Sequence, residues 1–174
     1  MTESADTSAS ADPNADGSST PASSGAEDPA LRVDFYVLDE ASTSARLKLA
    51  CKLAEKAYLT SQTTLVWHTD PEELRAFDEM LWTFNDGSFV PHEMLSSTGA
   101  LPEAPVALSA GTPPSQNVDI IINLAPDVPP CLAQTRRIAE IIDGEDSRRR
   151  AGRARFKAYR ELGLQPTSHN IRND

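Results

Sequence analysis

Long apolar runs are missing from this chain of 174 residues, and nothing approaches the roughly 18 consecutive apolar positions of a membrane span. An integral membrane protein built of helices is therefore excluded. The opening stretch, MTESADTSASADPNADG, has neither a basic region nor an apolar block, so no secretory leader is expected. Cysteine is scarce: Cys51 and Cys131 lie 80 positions apart and form no C-x-x-C pair. The three histidines, His68, His92 and His169, are scattered, so no metal site is expected. Together these absences point to a reduced, soluble, cytoplasmic protein.

Clustered glycine is also absent. The eight glycines stand singly, and no G-K-[ST] occurs anywhere. The turn after the first expected strand reads Leu38-Asp-Glu-Ala-Ser-Thr-Ser44, with two carboxylates where a phosphate would approach. Nucleotide-binding turns need glycines there so that backbone N–H groups can reach the phosphates. No nucleotide cofactor is expected, nor any other. Nucleophilic catalysis fares no better. Cys51 falls on an apolar helix face, Cys131 is flanked by Pro130 and Leu132, and His68 has only Asp70 nearby. The acid pairs Glu72/Glu73 and Asp78/Glu79 suit a helix N-terminus and a solvated face. No catalytic residues are assigned, and the chain reads as a non-enzyme.

Charge is present but unevenly divided. The whole chain carries 26 acids and 16 bases, net −10. Residues 1–31 hold six of the acids and no base, leaving 20 acids and 16 bases, net −4, for the remainder. From Ser61 to Thr135 one base, Arg75, faces ten acids, whereas Ser147 to Arg160 holds seven bases and no acid. A partner responds to the local field within about one Debye length, roughly 8 Å, so the basic cluster outweighs the acidic total.

The first 31 residues are small and polar and cannot bury enough apolar area to offset their ordering entropy, so this acidic tail is expected to be disordered. Beyond it, Arg32–Asp39 reads as a strand and Ser42 or Ser44 caps a helix to about Leu59. Thr63–Trp67 is a second strand. Asp70-Pro71 starts a helix ending near Phe84, and Phe89–Leu95 is a short extended piece broken by Pro91. Val106–Ser109 and Val118–Leu124 are further strands, the latter apolar enough to be buried on both faces. Helices are expected over about Cys131–Ile142 and Asp146–Leu162, and residues 166–174 as a flexible C-terminus. This order predicts an α/β chain, a three-layer α/β/α Rossmann-like sandwich over a largely parallel sheet, without a phosphate-binding loop.

Two segments invite partners. On a wheel at about 100° per residue, Arg149, Arg153, Phe156, Lys157 and Arg160 of the last helix share one side. Ala151, Ala154, Ala158 and Leu162 gather opposite, as the expected docking face. Cations around an aromatic ring suit an acidic peptide with an apolar anchor, or stacked single-stranded bases. The second segment, Trp82-Thr-Phe-Asn-Asp-Gly-Ser-Phe-Val-Pro-His92, groups three aromatics and a proline after a helix end, a composition typical of interface hot spots.

The runs Asp34-Phe-Tyr-Val-Leu-Asp39, Asp78-Glu-Met-Leu-Trp82, Ser88-Phe-Val-Pro-His92 and Arg155-Phe-Lys-Ala-Tyr-Arg160 resemble, in this order, the chi subunit of bacterial DNA polymerase III. The similarity spans about residues 33–165 and leaves the acidic tail outside. It implies a chi-like domain over 32–165 with a Rossmann-like fold. It also implies a non-catalytic adaptor of the clamp-loader complex that contacts DNA only indirectly at the replisome. Such members bind the acidic C-terminal tail of single-stranded-DNA-binding protein and pair with the psi subunit. Carried over by position, the resemblance assigns tail binding to Arg149, Arg153, Phe156, Lys157 and Arg160. It assigns psi binding to Trp82, Phe89, Val90 and Pro91. The alternative is a module that binds single-stranded nucleic acid directly through the basic helix.

Overall fold

The structure, a computed structural model, describes residues 30–172. Of the expected acidic tail only Ala30 and Leu31 are described; its other 29 residues lie outside the described part.

Arg32–Leu38 forms β1, and Ser42 then caps α1, Thr43–Leu59, its hydroxyl accepting from the Ala45 N–H at 3.1 Å. Thr64–Trp67 is β2. Asp70 caps α2, Pro71–Thr83, accepting from the Glu72 N–H at 3.0 Å, with Pro71 in the first turn where no N–H is needed. The short strand β3, His92–Met94, precedes β4, Val106–Ser109, and β5, Ile120–Asn123. Arg137–Ile142 is β6, Asp146–Glu161 is α3, and Thr167–Ile171 is β7. All seven strands are parallel, in the order β3-β4-β2-β5-β6-β1-β7.

The alternation of side chains along the strands sorts the core into two sets. Val66, Leu108, Ile122 and Ile141 meet Leu47, Cys51, Leu74 and Phe77 of α1 and α2. Leu65, Trp67, Ile121, Ile138 and Phe35 lie in the other set with Tyr159 and Phe156 of α3. Thus α1 and α2 cover one face of the sheet and α3 the other. Burial pushes the Cys51 thiol up to about 12, in keeping with a packing role.

Three expectations are corrected. Residues Cys131–Ile142 are not a helix: a single 3-10 turn, Leu132–Gln134, leads into β6, which runs between β5 and β1. Its three isoleucines favour a strand, and the charge that suggests a helix face, Glu140, is wholly buried and bonded from β5 and α3. Short apolar runs do not separate strand from helix by period alone. Within the expected flexible C-terminus, Thr167–Ile171 is instead a strand that pairs with β1 from Asp34↔Thr167 to Leu38↔Ile171; residues 173–174 lie outside the described part.

The third correction concerns how α3 is rotated. Gly152, Arg155 and Tyr159 are its buried residues, while Ala154 and Leu162 are exposed and Ala151 and Ala158 only half-buried. The helix is turned by about a quarter-circle from the alanine face. Glycine at 152 permits this, since a Cβ there would run into the Ile142 side chain. A polar network supplies the attraction. Glu140 accepts from Asn123 Nδ2 at 2.9 and 3.0 Å, from Arg155 Nε at 3.0 Å and from the Tyr159 hydroxyl at 2.7 Å.

Candidate functional site

The rotation of α3 decides which of its seven bases remain available. Arg155 is held by Glu140, and Arg148 binds Asp143 at 2.6 and 2.7 Å with both ends of its guanidinium. That carboxylate pins the Arg148 charge still more firmly, and the Asp143 carboxyl, despite its burial, is held below the ordinary aspartate range. Two cations that look free in the run Ser147–Arg160 are therefore neutralised internally.

Arg149, Arg153 and Phe156 converge on one groove of about 330 Å³ between α3 and the β1–β7 edge. Its floor is Phe35 and Val37 of β1, and its far wall is Ser168 and Asn170 of β7. The Phe156 ring packs on Phe35 at 5.2 Å, so one face is anchored and it borders the groove half-buried. Arg149 Nη2 donates to the Asp39 carbonyl at 3.3 Å, while its Nε is buried and donates to nothing. Arg153 is exposed and in no ion pair among the described residues. The groove can take a carboxylate against two guanidinium groups and an apolar side chain against Phe156.

Lys157 and Arg160 do not line it. Lys157 points to solvent, its side chain 79% exposed and 4.0 Å from Glu161, and Arg160 is exposed as well. Sequence reasoning missed Phe35, Val37, Ser168 and Asn170, because a groove wall made of short polar residues on an edge strand has no sequence signal of its own.

The second surface lies around the end of α2. Trp82 and Phe89 are 53% and 61% exposed with their rings 5.5 Å apart. Trp82 also lies 4.5 Å from the ring of His92, the first residue of edge strand β3. Val90, by contrast, is 1% exposed and belongs to the core with α1 and α2, so it offers no side-chain contact; Pro91 is half-buried. Val90 is corrected from interface to core, where it packs with Leu74, Phe77 and Leu81 of α2. Tyr58 and Leu59, at the end of α1, share a shallow depression with Phe89, and Leu59 is strongly exposed. Those two were not among the expected contacts. An exposed leucine closing an otherwise regular amphipathic helix is the one trace they leave in the sequence.

The groove sits at the β7 edge and the aromatic patch at the β3 edge of one sheet. Six strand spacings separate the two edges, about 29 Å at roughly 4.8 Å each.

Comparison with known proteins identifies the family and the fold. The chain is 38% identical over 140 residues to the DNA polymerase III subunit chi of Pseudomonas aeruginosa, covering 80% of this chain and 96% of that one. It is 31% identical over 135 residues to the corresponding subunit of Escherichia coli K12, covering 75% and 91%. Among solved structures, that of T4 UvsW superposes with a TM-score of 0.59 at 10% identity, covering 82% of this chain and 42% of that one, a likeness of fold alone. Residues 31–167 match the family described as DNA polymerase III chi subunit, HolC, and the chain belongs to that family of replication accessory subunits.

Proposed function

We propose that the protein is a non-catalytic adaptor of the clamp-loader complex. It holds the acidic C-terminal tail of single-stranded-DNA-binding protein in the α3–β7 groove and the psi subunit on the Trp82–Phe89 patch. The observation that carries this reading is the convergence of Arg149, Arg153 and Phe156 on one groove, at the sheet edge opposite the exposed aromatics. A terminal carboxylate would receive charge-assisted hydrogen bonds from the two arginines, about 1.5–3 kcal/mol each. An apolar anchor side chain buried against Phe156 adds roughly 1.5–3 kcal/mol, and ordering a flexible tail takes several kcal/mol back. Micromolar or weaker affinity, no stronger than about −8 kcal/mol, is the expected balance.

Fluorescence anisotropy with a labelled tail peptide tests it. Arg153→Glu should weaken binding at least tenfold and leave the thermal midpoint unchanged, since the side chain is exposed. Lys157→Glu and Arg160→Glu should act only through the general field, each with a severalfold loss that added salt removes. Unchanged tail binding in Arg153→Glu, together with tight binding of bare single-stranded DNA by the wild type, would favour the direct nucleic-acid reading and sink the adaptor.

On the opposite edge, Phe89→Ala is expected to weaken psi binding more than tenfold. Its stability cost should stay below about 1 kcal/mol, against about 3–5 kcal/mol for a truncated core phenylalanine. Urea unfolding and a pull-down with purified psi separate the two effects. A large stability loss with psi binding intact would show that the ring supports the core instead.

A further inference from the structure

A crevice of about 310 Å³ opens at the carboxyl ends of β2, β5 and β6, away from both surfaces described above. The helix after β2 packs on one face of the sheet, and the segment after its neighbour β5, with Ala125, Val128 and Cys131, packs on the other. Where neighbouring strands send their connections to opposite faces, an open parallel sheet leaves a gap, the usual ligand position in such folds.

Two side chains in it are more than nine-tenths buried yet have unused donors. Arg46 is 4% exposed. Its Nε donates to the Ile141 carbonyl at 3.2 Å and its Nη2 to the Leu124 carbonyl at 2.7 Å, which clamps β6 to the end of β5. Its Nη1 has no partner among the described residues, and no carboxylate lies within 4 Å of the guanidinium, unlike Arg148 and Arg155 beside it.

His68 is 6% exposed, and its Nδ1 accepts the backbone N–H groups of Thr69 and Asp70 at 2.8 and 2.9 Å. The ring proton therefore sits on Nε2, which finds no acceptor at hydrogen-bond distance; Glu73 is the nearest, at 3.7 Å. Burial first, and then the Arg46 charge, hold the ring below its ordinary pKa and keep it a neutral donor despite Glu73 and Asp70. Burial, aided by the Arg148 and Arg155 charges, lowers the Arg46 guanidinium to about 10, so it stays protonated at neutral pH. Asp143 and Glu73 favour its charge only from beyond ion-pair distance, and a neutral N–H beside it adds a second donor.

We propose that this crevice binds a small free oxyanion, a carboxylate or a phosphate group, between Arg46 Nη1 and His68 Nε2–H. Glu73, half-exposed at the rim, is the counter-charge such an anion displaces. The site is independent of the tail-binding groove, which lies on the other side of α3 and uses Arg149 and Arg153.

The test is a proton–nitrogen NMR titration of the full chain at low ionic strength, with inorganic phosphate in one arm and malonate in the other. Saturable shifts are expected at the Arg46 side chain and at the Thr69 and Asp70 amides, with a dissociation constant near or below about 1 mM in at least one arm. The tighter arm names the ligand class. Glu73→Gln should tighten binding about two- to fivefold by removing a half-exposed like charge. Arg46→Gln should abolish saturation. Because that variant also loses the clamp to Leu124 and Ile141, Glu73→Gln carries the test if Arg46→Gln fails to fold. Arg153→Glu should leave these shifts in place. Shifts confined to Arg149, Arg150 and Arg153, no saturation below about 10 mM in either arm, or Glu73→Gln without effect would each overturn the proposal.

Discussion

Glu140→Ala is expected to cost about 3–5 kcal/mol of folding stability, the usual penalty for leaving a buried charge without its partner. The carboxylate is fully buried in β6 and receives bonds from Asn123, Arg155 and Tyr159. Removing it leaves the Arg155 guanidinium with the Pro126 carbonyl, at 2.9 Å, as its one hydrogen-bond acceptor. A urea titration should show the midpoint falling with the slope unchanged, the mark of lost stability without a new denatured state. Glu140→Leu combined with Arg155→Met should be less damaged than Glu140→Ala alone, because removing both charges removes the unpaired one. A loss below about 1 kcal/mol in Glu140→Ala would mean that Arg155 finds water at low cost. The consequence reaches function through α3: the network that sets its rotation also decides that Arg149 and Arg153, and not the alanines, face the groove.

A chain ending at Gln165 is expected to lose tail-peptide affinity by more than tenfold and to unfold at a lower temperature. Ser168 and Asn170 form the far wall of the groove, and β7 is the outermost strand beyond β1. One side chain ties it inward. His169 Nε2 lies 3.0 Å from Asp34 Oδ1, with its ring stacked on Tyr36 at 5.2 Å. Burial alone would raise the Asp34 carboxyl. The His169 hydrogen bond and the nearby Arg32 and Arg137 outweigh it and hold the carboxyl below the ordinary aspartate range. Stability from such a group is complete above its unfolded pKa of about 4 and disappears as pH falls through the lower folded value. Full-length His169→Ala should shrink that contribution and raise the pH of acid unfolding. Circular dichroism against pH measures it, and peptide anisotropy measures the groove. Unchanged affinity in the truncated chain would place the peptide along α3 alone.

Much of this protein follows from its sequence because the signals are local. The Ser42 and Asp70-Pro71 caps, the apolar strands around Leu65 and Ile121 and the glycine-free turn after β1 each depend on neighbours a few residues away. The cation run from Arg148 to Arg160 was legible for the same reason.

Tertiary structure decided whatever depended on partners far along the chain. Arg137–Ile142 is a strand because β5 and β1 stand on either side of it, and parallel pairing has no short-range signature. The side of α3 that docks was set by Glu140, 15 residues before Arg155, and by the space that Gly152 leaves for Ile142. Val90 is core and Phe89 surface because Val90 packs among α1 and α2 while Phe89 meets Trp82 at the surface, and only the packed fold says which of the two is inside. Local chemistry named the residues that could bind; burial of distant charges settled which of them are free to do so.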